Sequence, residues 1–302
     1  MKPSVRLATE SDWPRLVALL AAGHGGNGYH AAVYQRWHAE WPQVLNEFEA
    51  LLIVETPRGL AGFAGIQRHP IPYTAGLFRA LADHFLAPDL DPGEAIVALV
   101  DGLAEWARER GFARVTLNME PQEADLLTAL AEAGGFPERV AMFTNRFPNE
   151  PLDPTIRPMR DEEADQVAAM GAEVAAYLAT LPGSLPSPTG EALVDLTREG
   201  YKEYGETRPH AFFVAEREGH LVGFVFAVVE PPDGGLIYDL YVMPAWRRQG
   251  IARALYRQAA GWLVQQGAEW LTLSVYALNR PAYEAYEQWG FFPFFVAWER
   301  NL

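Results

Sequence analysis

The feature that most constrains this chain is a self-similarity at a fixed shift of 156 residues. Laid over Val242–Pro293, the stretch Leu86–Pro137 aligns without a gap, with 12 of 52 positions identical. Among the matches are Pro88/Pro244, Leu99/Leu255, Trp106/Trp262, Gly111/Gly267, Gly134/Gly290 and Phe136/Phe292. Upstream, "VRLATESDWPRLVAL" from Val5 resembles "IRPMRDEEADQVAAM" from Ile156. Likewise "LLIVETPRGLAGFAGI" from Leu51 resembles "AFFVAEREGHLVGFVFAV" from Ala211. Three blocks in the same order imply two copies of one fold. The 302 residues suit two domains of about 100–200 residues each.

Each half reads as strand, helical region, antiparallel hairpin, a further strand, helix, strand, helix and final strand. In the second half the strands fall near Ile156, at Phe212–Glu216, Leu221–Val229, Leu236–Val242 and Trp270–Val275, and at "FFVAW" near the end. The helix from Gly250 to Gln266 places Ile251, Leu255, Ala259, Trp262 and Leu263 on one face, as a helix lying on a sheet requires. The joint is Phe147–Ile156, whose three prolines oppose both helix and central strand. The expected domains are therefore 1–148 and 156–302. The fold class is α+β, each unit a mixed, mostly antiparallel sheet flanked by helices.

Charge narrows the partners. The formal net charge is −15, shared evenly: residues 1–150 carry 12 basic and 19 acidic side chains, and residues 151–302 carry 12 and 20. Such a field opposes nucleic-acid phosphates and anionic membrane and suits a cationic substrate. With no cysteine, disulfides, thiolate metal sites and cysteine nucleophiles are excluded. No 18-residue apolar run and no apolar signal core occur, so a soluble cytoplasmic protein is expected, monomer or homodimer.

The chemistry starts at "LIYDLYVMPAWRRQGIARAL", a β-rich run, a turn and a helix. A helix N-terminus offers unpaired N–H groups and a partial positive charge, so an anion placed there is stabilised. Gly250 lets backbone approach closely, Ala252 keeps the surface low, and Arg247, Arg248 and Arg253 add charge. A diphosphate would suit this turn.

The spacing Arg247-x-x-Gly250-x-Ala252 matches [QR]-x-x-G-x-[GA], and "LNRPAYEAYEQWGF" (Leu278–Phe291) matches N-x-x-A-x-x-x-Y-x-x-x-G-F. On these residues, 156–302 resembles a GCN5-related N-acetyltransferase (GNAT). The resemblance implies acetyl-CoA as co-substrate, its pyrophosphate held by the backbone of Arg247, Arg248, Gln249, Gly250, Ile251, Ala252 and Arg253. Asn279 would touch the cofactor arm, and Leu240, Tyr241 and Val242 would pair with the pantetheine amides on a strand splayed from Leu271–Val275. A backbone N–H there could stabilise a tetrahedral oxyanion. Tyr286 would protonate the departing thiolate, which a phenol of pKa about 10 can do.

Some family members use a glutamate on the strand that here carries Ser274, so that role does not carry over. Asp239 is the candidate base, with Glu203, Glu206 and Glu230 behind it. The implied activity is acetyl transfer to an amine of a small molecule or peptide. The alternatives are a catalytically silent acyl-CoA-binding or regulatory protein, and an acyltransferase with another acyl donor.

At the same shift the first half has Asp91 for Arg247, Pro92 for Arg248, Glu94 for Gly250, Glu123 for Asn279 and Leu130 for Tyr286. Core positions match while cofactor positions do not, so the first half is expected to keep the fold without the acetyl-CoA signature. "GHGGNG" (Gly23–Gly28) fits G-x-G-x-x-G but follows a helix pattern instead of a strand, so it reads as a loop. His24, His30 and His38 have no metal spacing, and no metal is expected. "LPGSLPSPTG" (Leu181–Gly190) is the loop best placed to act as a substrate lid.

Overall fold

The computed structural model describes residues 3–16, 19, 48–71, 74, 77–86, 92–119, 124–149 and 152–302. The Gly23–Gly28 run, His24, His30, His38, Asp91 and Glu123 lie outside the described residues. In chain order the elements are β1 (Ser4–Leu7), β2 (Ala50–Thr56), β3 (Gly59–Pro70), β4 (Phe78–Leu86), α1 (Pro92–Arg108), β5 (Arg114–Met119), α2 (Ala124–Glu132) and β6 (Phe136–Thr144). There follow β7 (Ile156–Pro158), α3 (Ala164–Leu178), α4 (Glu191–Glu206), β8 (His210–Arg217), β9 (His220–Glu230) and β10 (Gly234–Val242). Last come α5 (Ile251–Gln265), β11 (Trp270–Tyr276), α6 (Arg280–Gln288) and β12 (Phe292–Asn301).

The repeat is visible in these bounds. Strands β4, β5 and β6 and helix α2 begin 156 residues before β10, β11, β12 and α6. One element breaks the rule: α1 begins at Pro92, whereas α5 begins at Ile251, three residues later in the repeat. Pro92, Gly93 and Glu94 are thus helical where Arg248, Gln249 and Gly250 form a turn. Proline suits a first helical position because the N–H it lacks would have had no partner there.

The chain forms two compact units. The first is Met1–Ile71, Gly76–Glu138 and Phe295–Leu302; the second is Pro72–Ala75 and Arg139–Phe294. The terminal strands therefore differ from a contiguous split near the proline-rich joint. Within the first unit, Val296–Asn301 of β12 pair antiparallel with Met119–Arg114 of β5. Within the second, Leu271–Tyr276 of β11 pair antiparallel with Thr144–Arg139 of β6. A local pattern of apolar residues specifies a strand but not its neighbour.

In the first unit the order is β1-β2-β3-β4-β5-β12, with β4–β5 parallel. Leu99, Leu103 and Ala107 of α1 bury against Leu52, Val54, Val115 and Leu117, with Trp298 of β12 in the same core. Arg114, Thr116 and Glu299 are buried and bonded into one polar cluster here, which half-buried Glu138 and exposed Asn301 join at its margin.

The second unit runs β6-β11-β10-β9-β8-β7. Ile251, Leu255, Ala259 and Leu263 of α5 are buried against the sheet as the periodicity requires, with Trp262 half-buried beside them. Each fully buried leucine contributes about 1.5–3 kcal/mol. The other face carries Val167 and Met170 of α3 and Tyr201 of α4 over Phe224, Phe226 and Tyr241. The sheets are mixed and mostly antiparallel, as the sequence implies.

Candidate functional site

Strand β10 is parallel to β11 only from Gly234/Trp270 to Ile237/Leu273. Beyond that point β11 continues its pairing with β6 to Tyr276, and β10 continues with β9 to Val242. The two strands thus part at Tyr238, which leaves one edge of Asp239–Val242 without a β11 partner.

A bulge marks the same place. The β10–β9 register slips between Ile237 and Asp239. An extra residue in one strand turns two successive side chains to one face. Tyr238 joins the cluster under α4, and so does Asp239, whose carboxylate accepts from Tyr201 Oη at 2.5 Å. After the slip Leu240 and Val242 face the α5 core while Tyr241 faces α3. The Tyr241 hydroxyl donates to Glu173 of α3.

Asp239 is 8% exposed. Burial raises its carboxyl to about 6, opposed by the Tyr201 hydrogen bond, the Leu240 N–H and the Arg139 guanidinium. Tyr286 on α6 packs against Tyr256, Trp289 and Phe291 in the α5 core. Its hydroxyl is pushed well above an ordinary phenol, first by burial and then by the negative charge of Asp239. Tyr238 is raised to about 12, chiefly by burial and then by Asp239; Tyr241 is also raised to about 12, by burial and by Glu173.

The turn ahead of α5 has a definite shape. Arg247 is extended, Arg248 has φ 64° and Gly250 has φ 81°. A non-glycine residue in the left-handed region is uncommon, and such turns aim consecutive N–H groups into one concavity. The first N–H groups of α5 have no intrahelical partner, so they add to it. Arg247, Arg248, Gln249, Gly250 and Arg253 are exposed, Ala252 is half-buried, and Ile251 is buried and can offer only backbone. Arg247 Nε donates to the Val242 carbonyl at 2.9 Å, which ties the turn to the end of β10. Asn279 precedes α6 without using its side chain as a cap.

Of the secondary base candidates, Glu230 accepts from Arg208 at 2.7 Å and from Tyr204, whose ring packs on Tyr238 at 4.5 Å, Glu206 faces Lys202 at 3.6 Å, and Glu203 is exposed and adds its negative charge to the causes that raise Tyr238. Tyr201 and Glu173 were not singled out from the sequence. The stripe Leu193, Thr197, Tyr201 and Gly205, buried along α4, is the pattern that could have pointed to the first of them. Among the described residues no group of acids and histidines could hold a metal, and no helix is long and apolar enough to cross a membrane.

The arrangement can do three things. The turn can hold a polyanion, the open edge of β10 can pair with amide groups of an extended ligand, and a carboxylate and a phenol flank the point where the strands part.

Residues 180–291 match the model of the acetyltransferase (GNAT) family. A mycothiol acetyltransferase of Thermobifida fusca is 26% identical over 253 residues, 71% of this chain and 75% of that protein. One from Thermobispora bispora is 35% identical over 143 residues, 45% of each chain. The match to the latter thus spans about half of its length, and the match to that of Streptomyces avermitilis spans 27%.

Among solved structures, a GCN5-related N-acetyltransferase from Sphaerobacter thermophilus superposes with a TM-score of 0.60 at 20% identity, over 99% of this chain and 95% of that one. A tandem GNAT protein from the clavulanic acid biosynthesis pathway gives 0.53 at 14%, over 99% and 98%. Those two likenesses carry the fold over the whole length, and the match to the acetyltransferase (GNAT) family model covers residues 180–291, the segment with the left-handed turn and the parting strands.

Proposed function

We propose that the second unit transfers an acetyl group from acetyl-CoA to an amine of a small molecule. The observation that carries this is the end of parallel β10–β11 pairing at Ile237/Leu273, directly ahead of the Arg248–Gly250 turn. Acetyl-CoA is a diphosphate on an amide-bearing arm, and the turn and the free edge of β10 suit those two parts in that order. The uncapped Asn279 side chain suits a contact to the same arm. Backbone of Leu240, Tyr241 and Val242 meets the arm, and backbone of Arg247 through Arg253 meets the diphosphate, with the arginine side chains adding charge.

Asp239 then acts as base and Tyr286 as acid. The attacking nitrogen becomes acidic as its lone pair bonds to the acetyl carbon, so a carboxylate near pKa 6 can take its proton. The C–S bond breaks with its electron pair on sulfur, and Tyr286 supplies the proton to that thiolate. Once Asp239 is neutral it no longer holds the Tyr286 proton back, because its charge is one cause of the raised phenol. The first proton transfer thus eases the second. Solvent returns the proton from Asp239 to the phenolate, and the sum is amine plus thioester to amide plus thiol.

The first unit is assigned no acetyl-CoA site. Its α1 is already helical at Pro92–Glu94, where the second unit has its turn, and Glu94 would repel a diphosphate. The relatives named mycothiol acetyltransferase make amines related to mycothiol the first acceptors to try. The test is free-thiol release from acetyl-CoA with a panel of primary amines, amino sugars and aminoglycosides. No release with any of them, alongside tight acetyl-CoA binding, would favour the silent binding protein.

A further inference from the structure

We propose that Tyr201 is a positioning residue for the acceptor side of this site: its phenol, reaching from α4 to the bulge of β10, fixes the Asp239 carboxylate in place and in its charged form. This rests on Asp239 as the proton acceptor. The Tyr201 hydroxyl donates to Asp239 Oδ2 at 2.5 Å, and the residue is 7% exposed. Its ring is clamped edge-on by Phe212, Phe224, Phe226 and Tyr238 at centroid distances of 5.3–6.3 Å. A phenol held on four sides keeps its hydroxyl aimed, and the bulge brings the carboxylate round to meet it.

The helix behind makes room for this bond. A Cβ at Gly171 of α3 would stand 2.2 Å from the Tyr201 hydroxyl, so the absence of a side chain there reserves the space that the hydroxyl fills. An ordinary buried tyrosine needs only some acceptor. Here α4 brings its hydroxyl to one oxygen of the residue that must take a proton, and α3 leaves the space that the hydroxyl fills.

The groups facing Asp239 fix the direction of the effect. Tyr201 from α4, the Leu240 N–H and Arg139 from β6 favour the charged carboxylate, and burial opposes it. The other titratable groups coupled to it, Tyr238 on β10 and Tyr286 on α6, are phenols held protonated, while β9 presents Phe224 and Phe226. Removing the Tyr201 hydroxyl therefore raises the Asp239 pKa.

The measurement is a carbon-13 NMR titration of carboxyl-labelled aspartate in the full chain, with the Asp239 signal assigned by its loss in Asp239→Asn. In Tyr201→Phe the midpoint moves up by about one to two on the pH scale, as expected when a hydrogen bond to a charged group is removed. Gly171→Ala, which pushes the hydroxyl aside without removing it, moves the midpoint the same way. In parallel, kcat/KM with the best amine of the panel loses about two- to tenfold near neutral pH in Tyr201→Phe, the loss shrinking as pH rises. An unmoved midpoint in both variants overturns the proposal. Full turnover in Asp239→Asn overturns the base assignment instead, so the two failures are told apart.

Discussion

Arg114 and Glu299 form an ion pair in the first unit with side chains 1% and 0% exposed. Glu138 lies against the same guanidinium at 2.5 Å, and Thr116 Oγ1 donates to Glu299 at 3.1 Å. Removing Arg114 takes away the guanidinium that Glu299 and Glu138 share and leaves two carboxylates that repel each other. Arg114→Ala should lower stability by about 3–5 kcal/mol, read as a fall in the urea midpoint. The carboxyl of Glu299 is raised to about 7, first by burial and then by Glu138. Folded Glu299 thus holds its proton more tightly than the unfolded chain does. Stability present below about pH 4.5 is lost as pH rises through about 7. A urea midpoint that does not fall between pH 5 and 8 relative to Glu299→Gln would contradict this.

Asp239 should show function set against stability. Its folded value of about 6 lies above the ordinary 3.8, so the charged carboxylate destabilises the fold once pH exceeds 6. Asp239→Asn is expected to gain about 2–3 kcal/mol at pH 8, little at pH 4, and to lose turnover. In the unaltered enzyme kcat/KM should rise with pH through about 6, since the base must be ionised. Thermal unfolding and a pH–rate profile test the two halves separately.

Tyr286→Phe keeps the packing against Trp289 and Phe291 but removes the proton. Turnover should fall about 10²- to 10⁴-fold while acetyl-CoA affinity by calorimetry stays within about twofold. Equal loss of both would show that the hydroxyl serves binding instead of chemistry.

At the turn, a Cβ on Gly250 meets nothing within 4 Å, so the cost of Gly250→Ala is conformational alone. With φ at 81° that cost is about 1–2 kcal/mol. CoA binding should weaken about tenfold as the N–H groups lose their aim. Arg248→Gly relieves a similar strain and should leave stability within about 1 kcal/mol, weakening CoA through lost charge only. Calorimetric titration of CoA into each variant reads the difference, and equal affinities would argue against the turn as the anion site.

The elements of the second unit were largely legible because period and turn residues agree locally. Leu236–Val242, Trp270–Val275 and the helix after Gly250 all lie where the pattern puts them. Tyr286 and Asn279 are assigned from spacing and resemblance, and their roles belong to the proposal. The bulge at Tyr238 was not, since one extra residue leaves the apolar run unchanged and shows only in which cluster each side chain joins. Nor was Tyr201, whose four-residue stripe with Leu193 and Thr197 reads as ordinary core until Asp239 is seen opposite. The earlier start of α1 at Pro92 was hidden as well, because a proline there serves a turn or a first helical residue equally.

The assignment of the last strands has a practical corollary. Cleaving the chain within Phe147–Ile156 would give two fragments, each holding the strand that the other's sheet needs: Arg139–Thr144 on the first, Phe295–Asn301 on the second. Such fragments are a complementing pair by construction. Neither should survive alone, and mixing them should restore both units together, so this chain is a natural starting point for a split enzyme whose activity reports on reunion.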